Sequence, residues 1–246
     1  MSVTPEQRRG RVELHIPEGH ERGEEMSRAQ RALYGVVRAA LVVVGRTYFR
    51  ARIVGAEHIP ATGPFIISPS HRSNLDTPML GIVTRRCLRY MGKESLWTSR
   101  WGGWFLSSMG GFPVQRGSAD RDALRAAIRV LERGEPLVMF PEGTRRTGPV
   151  IEPGNMHDGP AYVACRTGAP IVPVGMAGTE AAMPKGSKLI RPVRLAIVVR
   201  PPIRPTIVAG TRVPRRVVRE LTEELRVEIQ LAFDEARRLA GYPDGY

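Results

Sequence analysis

PLVMFPEGTRR, residues 136–146, runs an apolar segment directly into a polar turn that carries Gly, Thr and two Arg. A short apolar run bounded by turn residues reads as a strand covered on both faces. The segment before it, 119–133, carries Leu124, Ala127, Ile128 and Leu131 on one helical face, and Gly134 stands where a C-terminal cap belongs. A helix therefore feeds a buried strand, and the alternation continues in both directions. Downstream, a helix over 159–167, capped by Asp158 and closed by Gly168, precedes an apolar strand at 170–174. A strand over 193–199 then leads to a long helix over 214–240, with Val217, Leu221, Leu225, Ile229 and Phe233 at four-residue intervals. Upstream, residues 51–54, 64–68, 88–92 and 112–115 read as strands, and a helix is expected after His71, through Met79 to Thr84. Such alternation predicts an α/β fold: a single domain over residues 51–240 with a central mixed β-sheet flanked by helices.

The chain has 246 residues, 42% of them hydrophobic and 25% charged, which suits one α/β domain with a substantial core. Its net charge of +13 is unevenly spread. Residues 1–26 form a polar, slightly acidic tail, whereas residues 26–50 hold five Arg and no acid, and residues 181–219 hold two Lys and eight Arg, again with no acid. Basic stretches of this kind suit an anionic partner: nucleic acid, anionic lipid or a phosphorylated substrate. Arg outnumbers Lys throughout, as GC-rich coding also produces, but coding bias does not remove Asp and Glu. With 6% aromatics and no reader motif, nucleic acid is disfavoured. Cys87 and Cys165 offer neither zinc-ligand spacing nor a disulfide framework and read as reduced packing residues.

No signal-peptide layout precedes the domain, and no uncharged apolar run reaches the roughly 18–20 residues that span a bilayer. Residues 27–50 instead read as an amphipathic helix. Arg28, Arg31, Arg38, Arg46 and Arg50 gather on one side, with Leu33, Val37, Leu41, Val44 and Tyr48 on the other. That pattern fits a helix lying in a membrane interface, its Arg reaching lipid phosphate, which makes the protein peripheral (monotopic) on an anionic membrane surface at the cytoplasmic face. Packing of the same helix on the domain, with its Arg in water, would give the same periodicity.

Three loops at strand ends carry chemistry. HRSNLD, residues 71–76, sets His71 five positions before Asp76. Histidine is the side chain suited to deprotonate an alcohol near neutral pH, and a neighbouring carboxylate holds one imidazole nitrogen protonated so that the other acts as base. By itself His-x4-Asp is a common coincidence. FPEGTRR, residues 140–146, exposes turn N–H groups and adds Arg145, a planar cation suited to phosphate. GGFPVQR, residues 110–116, brings a second Gly turn and Arg116.

Taken in order, these segments resemble the PlsC-like 1-acyl-sn-glycerol-3-phosphate (lysophosphatidic acid) acyltransferase family. Its His-x4-Asp motif is matched by His71, Ser73 and Asp76, and its Gly-containing strand ending in Arg by Gly111, Phe112, Val114 and Arg116. Phe140 to Arg145 match its Phe-Pro-Glu-Gly-Thr-Arg, and Ile171, Val172, Pro173 and Val174 match its apolar strand with an inner proline. The likeness covers about residues 51–204.

The resemblance implies a direct, metal-free and cofactor-free transfer from acyl-CoA or acyl carrier protein to lysophosphatidate. His71 would serve as base and Asp76 would orient it. It also implies an acceptor-phosphate site of Arg116, Glu142, Gly143, Thr144 and Arg145, in which the acidic Glu142 braces the loop. Ser70 stands where the family often has Asn, and His157-Asp158-Gly159 where it often has a Lys, which bears on acceptor identity. Glycerol 3-phosphate or another lysophospholipid is the alternative acceptor. From a different class, the alternative is a non-catalytic basic membrane-surface protein.

Overall fold

A computed structural model describes residues 25–114, 120–187, 189–206 and 213–242. In chain order its regular elements are α1 (Arg28–Thr47), β1 (Arg52–Val54), β2 (Ile66–Pro69), α2 (Asp76–Leu80), β3 (Arg89–Lys93), α3 (Arg100–Ser108), β4 (Gly111–Val114) and α4 (Asp120–Glu132). These are followed by β5 (Leu137–Val138), α5 (Gly159–Thr167), β6 (Ile171–Ala177), α6 (Thr179–Ala182), β7 (Ala196–Val199) and α7 (Arg215–Ala240). The seven strands form one sheet in the order β1-β7-β6-β2-β5-β3-β4. Only β6 and β7 pair antiparallel; the other neighbours are parallel, so the sheet is mixed, as expected.

Strand alternation divides the core. Ile66, Leu137 and Ile171 lie side by side in register and face α4, α5 and α7. One residue on, Ile67, Val138 and Val172 turn to the opposite face, against Leu75, Met79 and Leu80 around α2. Helices thus cover both faces, and the four parallel strands β2, β5, β3 and β4, with β6, all end at one edge. In open sheets of this type, sites form outside the carboxyl ends of the strands.

The long helix α7 lies across β6 and β7, and Gly175 permits its close approach. A Cβ there would sit 2.1 Å from the Ala232 carbonyl carbon. Because both contacting groups are backbone, neither can swing away. Gly175→Ala is expected to destabilise the fold by at least about 1–3 kcal/mol through overpacking. Urea unfolding measures this, and an unchanged midpoint would refute the close-packing account.

Several local expectations are revised. The helix after His71 is only five residues long and stops at Gly81 rather than reaching Thr84, because the chain tightens into successive three-residue turns there. Asp158 occupies the N-cap position of α5 but its side chain does not cap; its Oδ1 accepts from Thr222 Oγ1 of α7 at 2.9 Å. Helix α3 was not apparent in its sequence, RWGGWFLSS, where two adjacent glycines lower helix propensity. Packing overrides them: Gly103 and Ser107 are buried, and Trp97 Nε1 donates to Ser107 Oγ at 3.0 Å.

Helix α1 forms where periodicity placed it, with a complete capping box from Ser27 and Gln30. Its inward face consists of Tyr34, Leu41 and Gly45, beside α2 and α3. The Tyr34 hydroxyl accepts from Leu88 N–H at 3.2 Å. Arg38 also turns toward the domain, its Nε donating to the Thr84 carbonyl, so it does not join an exposed cationic stripe. Ala32, Val36, Ala39, Ala40 and Val43 face outward. Both cysteines are free, and burial raises each thiol pKa above its ordinary value.

Candidate active site

Strand β2 is buried along its whole length and delivers Ser70 and His71 to the carboxyl edge of the sheet. Ser70 continues the strand's pairing. Its N–H donates to the Val174 carbonyl at 2.9 Å, and its Oγ accepts from Met176 N–H at 3.0 Å. The following turn wraps around one carboxylate. Asp76 is fully buried, and its Oδ2 accepts from His71 Nδ1 at 2.9 Å and from the backbone N–H groups of Arg72 and Ser73 at 2.7 Å each. Two backbone N–H groups already donate to that carboxylate oxygen, which can only accept from the ring as well, so Nδ1 is the nitrogen that faces Asp76 as donor and Nε2 is the one left facing away from it. The His71 side chain is 16% exposed and borders a cavity of about 1410 Å³. Its ring lies 4.1 Å, centroid to centroid, from the Phe140 ring at a 33° tilt, which fixes the imidazole plane.

The second loop is bound to the first through Glu142. This buried carboxylate accepts from His71 N–H at 2.9 Å and takes both oxygens to Arg72 Nη1, at 2.7 and 2.8 Å. Arg72 also donates from Nε to the Gly148 carbonyl at 3.2 Å, and its guanidinium lies over the Phe233 ring of α7. Arg146 N–H closes the junction on the His71 carbonyl at 2.9 Å. Glu180, at the start of α6, feels the same charges. Burial raises its carboxyl pKa, Arg72 lowers it, and Asp76 adds to the rise.

Gly143 adopts φ +63°, and a Cβ there would fall 2.7 Å from the His157 ring, so the turn accepts only glycine while His157 lies over it. Thr144 is exposed and Arg145 half-buried. Among the described residues the Arg145 side chain has no hydrogen-bond or ion-pair partner. Of the expected site residues, His71, Asp76, Glu142, Gly143, Thr144 and Arg145 therefore lie on two adjoining loops. Arg116 lies outside the described residues.

The cavity is lined by His71, by the apolar Met91, Val114 and Leu124, by Tyr162, and by Arg121 and Arg215. A mostly apolar lining that also carries a histidine and arginines suits an amphiphilic molecule with a long chain and an anionic group. Sequence reading passed over Arg72, Phe140 as a ring partner, and the seat of His157 over the Gly143 turn. Arg72 carried a signal only in its position next to the histidine, because its burial depends on a partner seventy residues away.

Fold and site together define an α/β transferase-type domain whose strand-end loops hold a carboxylate-supported imidazole over an amphipathic cavity. The chain belongs to the Acyltransferase family, whose model matches residues 50–177. It is 26% identical over 172 residues to the 1-acyl-sn-glycerol-3-phosphate acyltransferase of Bacillus subtilis, covering 70% of this chain and 82% of that one. It is 28% identical over 160 residues to a chloroplastic 1-acyl-sn-glycerol-3-phosphate acyltransferase of Arabidopsis thaliana, covering 63% of this chain but only 44% of the relative. The chain thus spans most of the bacterial relative and less than half of the plant one. The crystal structure of the 1-acyl-sn-glycerophosphate acyltransferase PlsC from Thermotoga maritima superposes with a TM-score of 0.64 at 23% identity, over 87% of this chain and 84% of that one. At that identity the likeness bears on the fold.

Proposed function

We propose that the protein transfers a fatty acyl group from acyl-CoA or acyl carrier protein to 1-acylglycerol 3-phosphate, forming phosphatidate, with His71 as general base. The observation that carries this reading is the His71–Asp76 pair: Nδ1 held by a buried carboxylate, with the ring at the wall of a cavity fit for a lipid. Nε2 takes the acceptor hydroxyl's proton as that oxygen attacks the thioester carbonyl. The tetrahedral adduct collapses, the C–S bond breaks, and the leaving thiolate takes the proton back from the His71 imidazolium, which regenerates the base. The imidazolium formed in the first step is stabilised by Asp76. A thioester is already activated, so the step calls for no acyl-enzyme and no metal. Release of free thiol from palmitoyl-CoA, followed with lysophosphatidate, glycerol 3-phosphate and other lysophospholipids in turn, tests the assignment. Lysophosphatidate should give the fastest release, and release independent of any acceptor would overturn the reading.

The acceptor phosphate belongs at Arg145 and the turn of Gly143 and Thr144, with Arg116 as its partner cation. Glu142 is engaged with His71 N–H and Arg72, which supports a bracing role. A phosphate held by a planar guanidinium fixes the glycerol hydroxyl relative to the base, so both affinity and positioning depend on it. Arg145→Ala is expected to raise the acceptor KM strongly and lower kcat, with little change in thioester KM; Arg145→Lys should recover only part. If thioester KM rises instead, Arg145 serves the donor.

Attachment to the membrane is peripheral in this reading, through α1. Among the described residues no helix is long and apolar enough to cross a membrane. The outward apolar face of α1, flanked by exposed Arg28 and Arg46, supports interfacial seating. The polar carrier of the thioester favours the cytoplasmic face.

A further inference from the structure

Helix α3 presents an apolar surface that the transfer chemistry does not use. Trp101 is 80% exposed, Trp104 46% and Phe105 45%, and their spacing of three and four residues puts them on one side of the helix. Leu96, in the turn just before α3, is also exposed. Three large aromatic side chains in water on one short helix need a partner, since apolar surface of that kind marks an interaction site.

The surroundings say which partner. Helix α1 packs beside α3 and turns Ala32, Val36, Ala39, Ala40 and Val43 outward. Just past α1, Tyr48 donates its hydroxyl to the Ile190 carbonyl at 2.8 Å, tying the segment of the exposed Leu189 and Ile190 to the end of that helix. Exposed arginines stand on or next to these segments: Arg46, Arg50, Arg100 and Arg191. Neither residues 26–50 nor residues 95–114 contain an Asp or Glu. Exposed apolar residues that include Trp, accompanied by exposed arginines and by no acid in those two stretches, complement a bilayer interface, where Trp rings settle at headgroup level and Arg meets lipid phosphate. Topology adds a second argument. The turn before α3 follows the carboxyl end of β3, so Leu96 and Trp101 stand at the sheet edge that carries His71.

We infer that α3 is a second membrane-contact element, inserting Leu96, Trp101, Trp104 and Phe105 into an anionic lipid interface beside α1. This deepens the peripheral reading above by naming a contact outside the N-terminal helix. It brings the active-site edge, not merely the N-terminus, down to the bilayer that supplies the acceptor.

The chain's three tryptophans make the inference measurable. Trp97 is buried, while Trp101 and Trp104 are exposed. Vesicles of phosphatidylcholine and phosphatidylglycerol brominated in the acyl chains should quench the wild-type emission and shift it to the blue. A Trp101→Phe/Trp104→Phe variant, reporting from Trp97 alone, should respond little. A Trp101→Ala/Trp104→Ala/Phe105→Ala variant should lose roughly tenfold or more in vesicle sedimentation, from the apolar area no longer withdrawn from water. Its thiol release with a short-chain, freely soluble acceptor should stay near wild type. Wild-type protein that sediments with vesicles while its tryptophans remain unquenched would overturn the inference and leave α1 as the contact. Failure to sediment at all would overturn it together with the peripheral reading, leaving the acyl-transfer assignment to the thiol assay. An emission shift with acidic acyl carrier protein and not with vesicles would overturn it in favour of a protein partner.

Discussion

His71→Ala will lower turnover by roughly 10²–10⁴-fold or more while leaving the melting temperature and vesicle binding close to wild type. The expectation follows from what the side chain touches. Among the described residues its ring makes one hydrogen bond, to Asp76, and one ring contact, to Phe140, and its structural anchoring runs through the backbone N–H and carbonyl, which alanine keeps. Asp76→Asn should also be severe for turnover, and it should cost stability as well. An amide cannot offer three donors one anionic oxygen, and it can hold the imidazole in the wrong tautomer. Steady-state thiol release on purified variants, with circular dichroism as the control for folding, measures both. Near wild-type turnover in His71→Ala would remove the general-base mechanism.

Arg72 and Glu142 give the second large effect, and here stability and catalysis separate. Both side chains are 1% exposed, so each is buried with its charge compensated by the other. Removing either partner alone, by Arg72→Met or Glu142→Leu, should cost roughly 3–5 kcal/mol, because an uncompensated charge remains buried. Replacing both, as Arg72→Met/Glu142→Leu, should recover most of that stability, since an apolar pair of similar volume carries no desolvation cost. Activity should not return. The double variant still lacks the carboxylate that holds His71 N–H and joins the His71 turn to the PEGTRR turn. Urea unfolding of the four proteins gives the coupling energy, and kcat measured alongside tests the positioning role. A double variant that is both stable and fully active would show that the pair contributes to folding alone.

Much of the site was legible because it is local. A buried strand that ends in HRSNLD, and another that ends in FPEGTRR, already set a histidine, a carboxylate five positions away, a glycine turn and an arginine at strand ends. The hydrogen bonds around Asp76 confirm the locality: all three come from residues within five positions of it. Glu142 was legible as a brace rather than a ligand because a carboxylate repels phosphate, but its partner Arg72 was not. From sequence, an Arg beside a histidine could equally face water.

Helix α1 shows a different limit. It is apolar on nearly every side not occupied by Arg, so one periodic pattern fits two orientations. The inward choice of Tyr34, Leu41 and Gly45 follows from the surface offered by α2 and α3, and one of those neighbours, α3, was itself hidden behind two glycines.

By itself, then, the sequence determined the α/β class and the loops that hold His71, Asp76 and Arg145. Hydrophobic period, turn residues and short-range hydrogen bonds act over a few residues and leave a mark in the text of the chain. Only the tertiary structure decided the strand order, the burial of Arg72 on Glu142, the close seat of α7 on Gly175, and the surface α1 and α3 turn outward. Each of those depends on contacts between segments tens of residues apart, where many pairings satisfy the local pattern and packing of the whole core selects one.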